Sequence, residues 1–440
     1  MSTNNTETRQ RIVIVGAGFG GLNLAKKLKK DKFEVHIVDR NNYHSFPPLF
    51  YQVASSGLEP ASISFALRRE MLSRRFRGCI SHFGDVTLID LKRKEVKTQF
   101  ETIPFDKLVI AAGTTNNFFN IPDLEKRVYT LKSTAEAIRT RNSIIERMER
   151  AALTKDPVLR RRLLTFAVVG GGPTGVEIAG ALGEMKRFSV PREYPEINRN
   201  EISVRLIEGS DRLLRTMSQR SSDEAYNALR TLMVDIELNK TMKSYENGVI
   251  TFTDGSQIES DTVIWTAGVT GVKFNITGAE VPMVPGNRFK VDEFNRVEGF
   301  EDLFAIGDIS CCMNEEYPRG CPQLAQPAIQ QGRTLAKNLN AGVMERPFKY
   351  NDKGSMATIG RNRAVAELGK LHFDGRIAWL MWMFVHLMSL LGMRNKAVVL
   401  INWTWNYFTF SSALRLLLRP AKYPLKSEIP DPEPSPDMTD

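Results

Sequence analysis

Arg11-Ile12-Val13-Ile14-Val15-Gly16-Ala17-Gly18-Phe19-Gly20-Gly21 and Phe166-Ala167-Val168-Val169-Gly170-Gly171-Gly172-Pro173-Thr174-Gly175-Val176-Glu177 repeat one pattern about a third of the chain apart. In each, an apolar strand runs into glycines spaced G-x-G-x-x-G. Such glycines turn the chain tightly and let backbone amides approach a pyrophosphate at a helix N-terminus. A lone copy would be a weak signal, but each copy here has its context. After the first, Leu22, Ala25 and Leu28 form a helical apolar stripe, and Phe33-Glu34-Val35-His36-Ile37-Val38 reads as a strand ending at Asp39. An acid at that point can accept hydrogen bonds from ribose hydroxyls. After the second, Ser203-Val204-Arg205-Leu206-Ile207 ends at Glu208, delayed by a polar insertion containing Arg187 to Asn200. The bland alternative, a glycine turn with an incidental acid at a strand end, weakens when both copies occur together. Two dinucleotide sites imply electron transfer between two cofactors.

A chain of 440 residues predicts two or three domains with substantial cores. The first strand begins by residue 11, which predicts no cleavable signal and a chain that stays in the compartment where it is made. Cys79, Cys311, Cys312 and Cys321 have neither zinc-ligand spacing nor a C-x-x-C arrangement, so no metal site is expected and a reducing cytosol suits them. The formal charge of +10 is spread over Lys26 to Lys32, Arg68 to Arg77 and Arg160 to Arg162 without a recognition pattern, and nucleic acid is not expected as a partner. Near the C-terminus the basic residues Arg376, Arg394, Lys396, Arg415, Arg419, Lys422 and Lys426 flank strongly apolar segments instead. That combination points to a lipid surface.

The first unit closes with the apolar run Phe105 to Ala111, stopped by Ala112, Gly113 and Thr114, and a similar run, Asp261 to Val269, closes the second. Small residues at such strand ends let backbone pass close to a cofactor. Short alternating stretches such as Gly248 to Gly255 read as hairpins. A third strand signal, Leu303-Phe304-Ala305-Ile306-Gly307-Asp308, would return the chain to the first unit, with Asp308 either facing the first cofactor or capping a helix. The expected class is α/β: two Rossmann-like dinucleotide-binding domains, the second inserted in the first, plus a C-terminal amphipathic helical membrane-attachment region. The expected boundaries are 1–125 and 286–342 for the first domain, 126–285 for the second, 343–425 for the attachment region and 426–440 for a disordered tail rich in Pro, Asp and Glu.

Gln323 to Gly332 opens a helix predicted to start near Gln326 or Pro327 and to run to about Asn340, its glutamines either serving a site or facing solvent. Ile377 to Met393 is an almost unbroken apolar run, as a helix about 25 Å long and short of the roughly 30 Å hydrocarbon core. Ala397 to Leu418 reads as strand or as helix, since Asn402, Thr404 and Asn406 alternate with Trp403, Trp405 and Tyr407 while Asn402, Asn406, Thr409 and Ser412 could share a helix face. Aromatic residues flanked by Arg and Lys suit an in-plane helix at the water-lipid boundary, ahead of a buried dimer interface or a true span.

These residues resemble the type II NADH dehydrogenases, membrane-surface NADH:quinone oxidoreductases of the two-dinucleotide-binding flavoprotein superfamily. The resemblance runs from Val13 to about Leu418 and rests on Gly16 to Gly21, Phe46 to Ala54, Gly170 to Glu177, Trp265 to Val269, Ala305 to Asp308 and, most discriminating, Ala325-Gln326-Pro327-Ala328-Ile329-Gln330. It implies FAD and NAD as cofactors. FAD would lie against Gly16, Gly18, Phe19, Gly20, Gly21, Asp39, Arg40, Ala112, Gly113, Asp308, Ala325 and Gln326. NADH would lie against Gly170, Gly172, Pro173, Thr174, Gly175, Glu177, Glu208 and Gly268, with Glu208 disfavouring a 2'-phosphate although Arg205 and Arg212 are near in sequence. A membrane quinone would meet Gln326, Ala328, Ile329 and Gln330. Glu177, Gln326 and Gln330 would be the catalytic residues, although Glu177 alone could be a first-turn partner of its helix dipole.

The resemblance implies hydride transfer from NADH to FAD, then two electrons to quinone, without proton pumping. It further implies a peripheral (monotopic) protein on the cytoplasmic face of the inner membrane, held on the bilayer surface by C-terminal helices, and a homodimer. Three rivals share parts of the pattern: a disulfide reductase, which needs a cysteine pair beside the flavin; a sulfide:quinone oxidoreductase, for which Cys321 is the relevant residue; and a membrane-docked nucleotide sensor without catalysis.

Overall fold

The computed structural model describes residues 9–409 and 414–417. The predicted disordered tail, 426–440, lies outside the described residues. The first sheet has the order Leu303–Ala305, Lys107–Ile110, Gln10–Val15, Phe33–Asp39, Cys79–Phe83, and every pair in it is parallel. Ile12, Val13 and Ile14 are fully buried because helices and antiparallel strands cover both faces, which is why this strand reads as a continuous apolar run. The second sheet has the order Val234–Glu237, Ser203–Ile207, Thr165–Val169, Thr262–Trp265, again all parallel. Each unit also carries a three-strand antiparallel meander: Val86–Asp90, Glu95–Thr98 and Thr102–Pro104 in the first, Met242–Glu246, Val249–Phe252 and Gln257–Glu259 in the second. The Gly248 to Gly255 hairpin lies in the latter.

Leu303–Ala305 adds to the edge of the first sheet only after the whole second unit has been made, so the second unit is an insertion in the first. Where the chain crosses between them, Thr114–Asn116 pairs antiparallel with Val269–Gly271, forming a two-strand connector. The helix Ala325–Ala341 then packs on Phe19–Lys27 so closely that a Cβ on Gly332 would come within 2.5 Å of Gly20 O.

A small antiparallel sheet, Ser355–Thr358, Ala364–Leu368 and Leu371–Asp374, leads into the helices Gly375–Ser389 and Met393–Thr409. The second of these resolves the ambiguity of Ala397 to Leu418 in favour of helix through Thr409: side-chain hydroxyls of Thr404 and Thr409 bond the carbonyls of Leu400 and Trp405 four residues back. Among the described residues no helix is long and apolar enough to cross a membrane. One core cluster joins Phe46 to Leu58 of the first unit with Val176, Ile178 and Leu182 of the second and with Trp382, Val399 and Trp403 of the C-terminal helices. Three parts of the chain therefore meet in one hydrophobic interior.

Candidate active site

The two glycine turns are built alike. Gly16 and Gly170 sit at φ +109° and +112°, a conformation that L side chains rarely adopt, and their N–H groups donate to Val38 O and Ile207 O, each at 2.8 Å. A Cβ on Gly16 would lie 2.5 Å from Ala111 O, and one on Gly170 would lie 2.8 Å from Ala267 N. At the fourth glycine of each motif, Gly21 and Gly175, a Cβ would collide with the carbonyl oxygen of Gly16 and Gly170 respectively. The middle glycines differ, because a Cβ on Gly18 or Gly172 would meet nothing closer than 4.0 Å. Sterics thus demand glycine at the ends of each motif, while the open middle position leaves backbone free for a ligand.

The acids predicted for ribose brace these turns. Asp39 accepts hydrogen bonds from the N–H groups of Ala17 at 2.7 Å and Asn41 at 2.8 Å, and Glu208 accepts from those of Gly171 at 2.5 Å and Ser210 at 2.7 Å. Each carboxylate oxygen keeps a further lone pair for a ligand hydroxyl. Burial raises the Asp39 carboxyl above the ordinary range, against the pull of the Ala17 and Asn41 amides. Arg205 is held by Glu237 at 2.9 Å, and Arg212 donates to Arg215 O at 3.0 Å, so neither arginine is paired with Glu208.

Beyond the first turn, Ala112 and Gly113 end the strand Lys107–Ile110, and a Cβ on Gly113 would meet nothing within 4 Å. Thr114 donates to Asp308 at 3.4 Å, and Lys132 donates to Thr114 at 3.1 Å. Asp308 is not a helix cap. Its carboxyl is raised by burial and drawn back down by Lys132, while burial lowers the Lys132 ammonium and Asp308 opposes that shift. Gln331 accepts from Gly307 N–H at 2.7 Å and so fixes the turn that presents Asp308. Ala328 packs against Gly307, and its carbonyl lies 3.5 Å from where a Gly20 Cβ would be. Sequence reasoning passed over Thr114, Lys132 and Gln331; the spacing of a polar residue across an inserted domain gives no local signal.

Glu177 lies where the three parts of the chain converge. It is 8% exposed on the helix Pro173–Glu184; the Thr358 amide and the nearby Trp382 indole, whose N–H forms no hydrogen bond among the described residues, favour its charged form. Burial overrides both and lifts the carboxyl well above the carboxylate range. Tyr51, buried nearby, has its hydroxyl raised by the same burial. Gln52 links Tyr51 to the C-terminal helices, donating to its hydroxyl at 2.8 Å and accepting from the Trp403 indole at 2.7 Å. Trp382 stacks on His386, with ring centroids 4.1 Å apart, and burial lowers that imidazole to about 4, which keeps it neutral. Pro173 and Thr174 open the same helix and are exposed, as a ligand at its N-terminus requires. Gly268, at φ +79°, lies against the Phe119 ring.

The helix Ala325–Ala341 starts at Ala325, a residue or two before the predicted position. Gln326 and Gln330 are half-buried, and backbone engages their amides. The Gln326 amide donates to Gly354 O at 2.9 Å and accepts from Lys353 N–H at 3.0 Å; Gln330 donates to Asn351 O at 2.8 Å and accepts from Asn351 N–H at 3.0 Å. Both side chains imitate strand pairing and tie the segment entering the C-terminal sheet to the helix. Ile329 between them is half-buried. Arg40 is exposed and pairs with Asp85 at 3.2 Å. Among the cysteines, Cys311, Cys312 and Cys321 are buried, and burial pushes the Cys312 thiol up to about 12, which disfavours a reactive thiolate.

The fit to two dinucleotides is direct: two open-centred glycine turns at helix N-termini, each with a fixed carboxylate at the next strand end. Residues 10–332 match the family Pyridine nucleotide-disulphide oxidoreductase, and residues 353–410 match the NDH2 C-terminal domain. The chain is similar to the type II NADH:quinone oxidoreductase Ndh of Mycobacterium tuberculosis, 33% identical with 91% of this chain and 89% of that protein covered. In fold it is similar to NDH2 of Plasmodium falciparum, solved in complex with NADH, with a TM-score of 0.84 at 21% identity over 93% of this chain and 100% of that one. The sulfide:quinone oxidoreductase of Aquifex aeolicus is also similar, with a TM-score of 0.70 at 17% identity, 91% of this chain and 96% of that one being covered. The flavoprotein core is thus shared widely, whereas the C-terminal match and the full-length identity are specific, and the chain belongs to the type II NADH:quinone oxidoreductases.

Proposed function

We propose that the protein oxidises NADH and reduces a membrane quinone without pumping protons, with FAD on the first glycine turn and NADH on the second. FAD supplies a ring that accepts hydride from NADH and passes two electrons to the quinone. The protein's own residues place the reactants and handle protons. Amides of the Gly16 to Gly21 and Gly170 to Gly175 turns, at helix N-termini, hold pyrophosphates, and Asp39 and Glu208 hold riboses. Asp308, backed by Thr114 and Lys132, would orient the end of FAD nearer the ring. Glu177, whose carboxyl burial biases toward the protonated form, would carry a proton in the interior shared by the three parts of the chain, where quinone reduction consumes protons. Gln326, Ala328, Ile329 and Gln330 would border the quinone, the two glutamines by fixing residues 351–354 beside it.

The observation that carries this reading is the pairing of two acid-braced glycine turns with one buried carboxyl, Glu177, at the junction with the C-terminal helices. Purified protein should oxidise NADH only as a water-soluble quinone is supplied, with an equal amount of quinol formed. NADH consumption with no quinol formed would count against it.

Attachment to a bilayer surface is supported by the two C-terminal helices. Ile377, Leu380, Phe384 and Met388 are 54–66% exposed on one, and Ile401, Trp405 and Phe408 are 64–75% exposed on the other, at three- and four-residue spacing. Arg376, Arg394 and Lys396 flank them, which suits the anionic cytoplasmic leaflet. The reading includes a homodimer, testable by sedimentation of detergent-solubilised protein. The expected domain limits, 1–125 with 286–342, 126–285 and 343–425, remain part of it.

A further inference from the structure

A cavity of about 150 Å³, lined by no residue of either glycine turn, lies between the π-turn Met185–Ser189, the end of the helix Gln219–Thr231 and the turn 359–363. Three guanidinium groups border it: Arg187, Arg361 and Arg363. Each is steadied by an oxygen at a helix C-terminus. Arg187 donates to Thr231 O at 3.0 Å, Arg363 to the Thr231 hydroxyl at 2.8 Å, and Arg361 to Tyr407 O at 3.0 Å. A guanidinium has five N–H donors, and the hydrogen bonds seen for Arg187 and Arg363 among the described residues use one each. No carboxylate among the described residues forms an ion pair with either of them.

Glu184 also borders the cavity. Its carboxyl accepts from the Arg361 amide at 2.5 Å, which ties it to the Arg361 side of the cavity and leaves Arg187 and Arg363 without a carboxylate partner among the described residues. The cavity adjoins the end of Met393–Thr409, the helix whose Ile401, Trp405 and Phe408 are exposed. Arg192 extends the basic collar by donating to Thr409 O at 3.2 Å. Arginine forks match phosphate geometry, and cationic residues beside an exposed apolar helix complement an anionic leaflet.

We propose that this cavity takes the phosphate of an anionic phospholipid headgroup, with Arg187 and Arg363 as its principal donors and Arg361 beside them. The inference rests on the reading that the two C-terminal helices lie on a lipid surface. It adds to that reading a discrete headgroup site, which fixes how the protein sits on the bilayer.

The test is co-sedimentation of full-length, flavin-loaded protein with vesicles of phosphatidylcholine alone and of phosphatidylcholine containing phosphatidylglycerol. Wild type should bind the anionic vesicles more tightly, and R187Q/R363Q should lose on the order of tenfold of that preference while keeping its binding to phosphatidylcholine. The charge-matched control K92Q/R93Q, on the first unit's meander, should keep the preference, and flavin content and the rate of flavin reduction by NADH should be unchanged in both variants. The charge-conserving R187K/R363K should retain part of the preference even if the glutamine pair folds poorly. Equal loss in K92Q/R93Q would mean that only net charge matters and would overturn the site. Retention of the full preference in R187Q/R363Q would overturn it too, leaving surface attachment intact. Failure of wild type to bind either vesicle would instead sink the attachment reading and the site with it. If inorganic phosphate alone abolishes the preference at matched phosphate concentration, the cavity is a free-anion site and the lipid assignment falls. A change of oligomeric state in R187Q/R363Q would mark the cavity as a contact between copies and also overturn it.

Discussion

Gln326 holds Gly354 by its side chain: Nε2 donates to the glycine carbonyl at 2.9 Å while Oε1 accepts the neighbouring Lys353 amide at 3.0 Å. Both ends of the amide are thus engaged by backbone, which joins the helix Ala325–Ala341 to the segment leading into the strand Ser355–Thr358.

Gln326→Ala removes both hydrogen bonds and leaves the Gly354 and Lys353 backbone groups to find water. Reoxidation of the reduced flavin by quinone should slow by about tenfold, the cost of one or two net hydrogen bonds at a positioning contact. Flavin reduction by NADH should change less than about twofold. Stopped-flow measurement of the two half-reactions decides it, and equal loss in both would remove the quinone-side assignment.

Glu177→Gln keeps the size and the hydrogen-bonding of a protonated glutamic acid, so the fold and bound FAD should survive. Burial raises the carboxyl, so its proton is held to higher pH than an ordinary carboxyl's and is lost as pH rises through the elevated value. Wild-type turnover should therefore fall on the alkaline side. The glutamine variant should be slower by roughly 10²-fold, with slower NADH handling, and should lose that alkaline limb. Identical pH profiles and flavin-reduction rates in the two proteins would exclude the role.

Glu184 offers the same physics as a stability effect. Its folded value is raised above its unfolded one by burial, with the Arg361 amide and charge opposing the shift. Its contribution is thus fully present below the ordinary carboxylate range and is lost as pH rises through the folded value. The urea midpoint of wild type should fall from mildly acidic to mildly alkaline pH more steeply than that of Glu184→Gln. Parallel curves would mean that Glu184 titrates as it does in the unfolded chain.

Gly175→Ala puts a Cβ into the carbonyl of Gly170, and Gly21→Ala puts one into the carbonyl of Gly16. The first should keep the yellow colour and lose NADH-driven flavin reduction by on the order of 10²-fold, and the second should lose the flavin itself. Absorbance spectra with NADH titration separate the two. The opposite pairing of defects would exchange the cofactor assignments.

Glu208→Ala should lower the preference for NADH over NADPH by about tenfold or more, because a carboxylate at the ribose repels a 2'-phosphate. Arg205 cannot readily compensate while Glu237 holds it at 2.9 Å. Unchanged kcat/KM ratios for the two nucleotides would show that Glu208 does not reach the ribose.

The glycine turns were legible because their residue types are dictated locally: Gly16 and Gly170 need positive φ, and Gly21 and Gly175 have no room for a Cβ. The return strand Leu303–Ala305 was legible from its apolar run, and its pairing with Lys107–Ile110 makes the inserted arrangement real. Lys132 and Thr114 were not, since the crossover between units brings them to Asp308, nor was Gln331, which reaches the turn only by the packing of its helix. The same holds for Tyr51 and Trp382 beside Glu177. The second C-terminal helix was ambiguous because alternating Asn and aromatic residues satisfy a strand pattern and a helix face at once, and only packing of Val399 and Trp403 into the shared core selects the helix.

One flavin serving NADH on one side and a quinone on the other is the centre of the proposed function. Anaerobic mixing of the purified protein with NADH should bleach the flavin absorbance, and a second mix with a water-soluble quinone should restore it with quinol formed in equal amount. Protein that remains colourless after reconstitution with FAD, or a flavin bleached by NADH that the quinone leaves reduced, would contradict it.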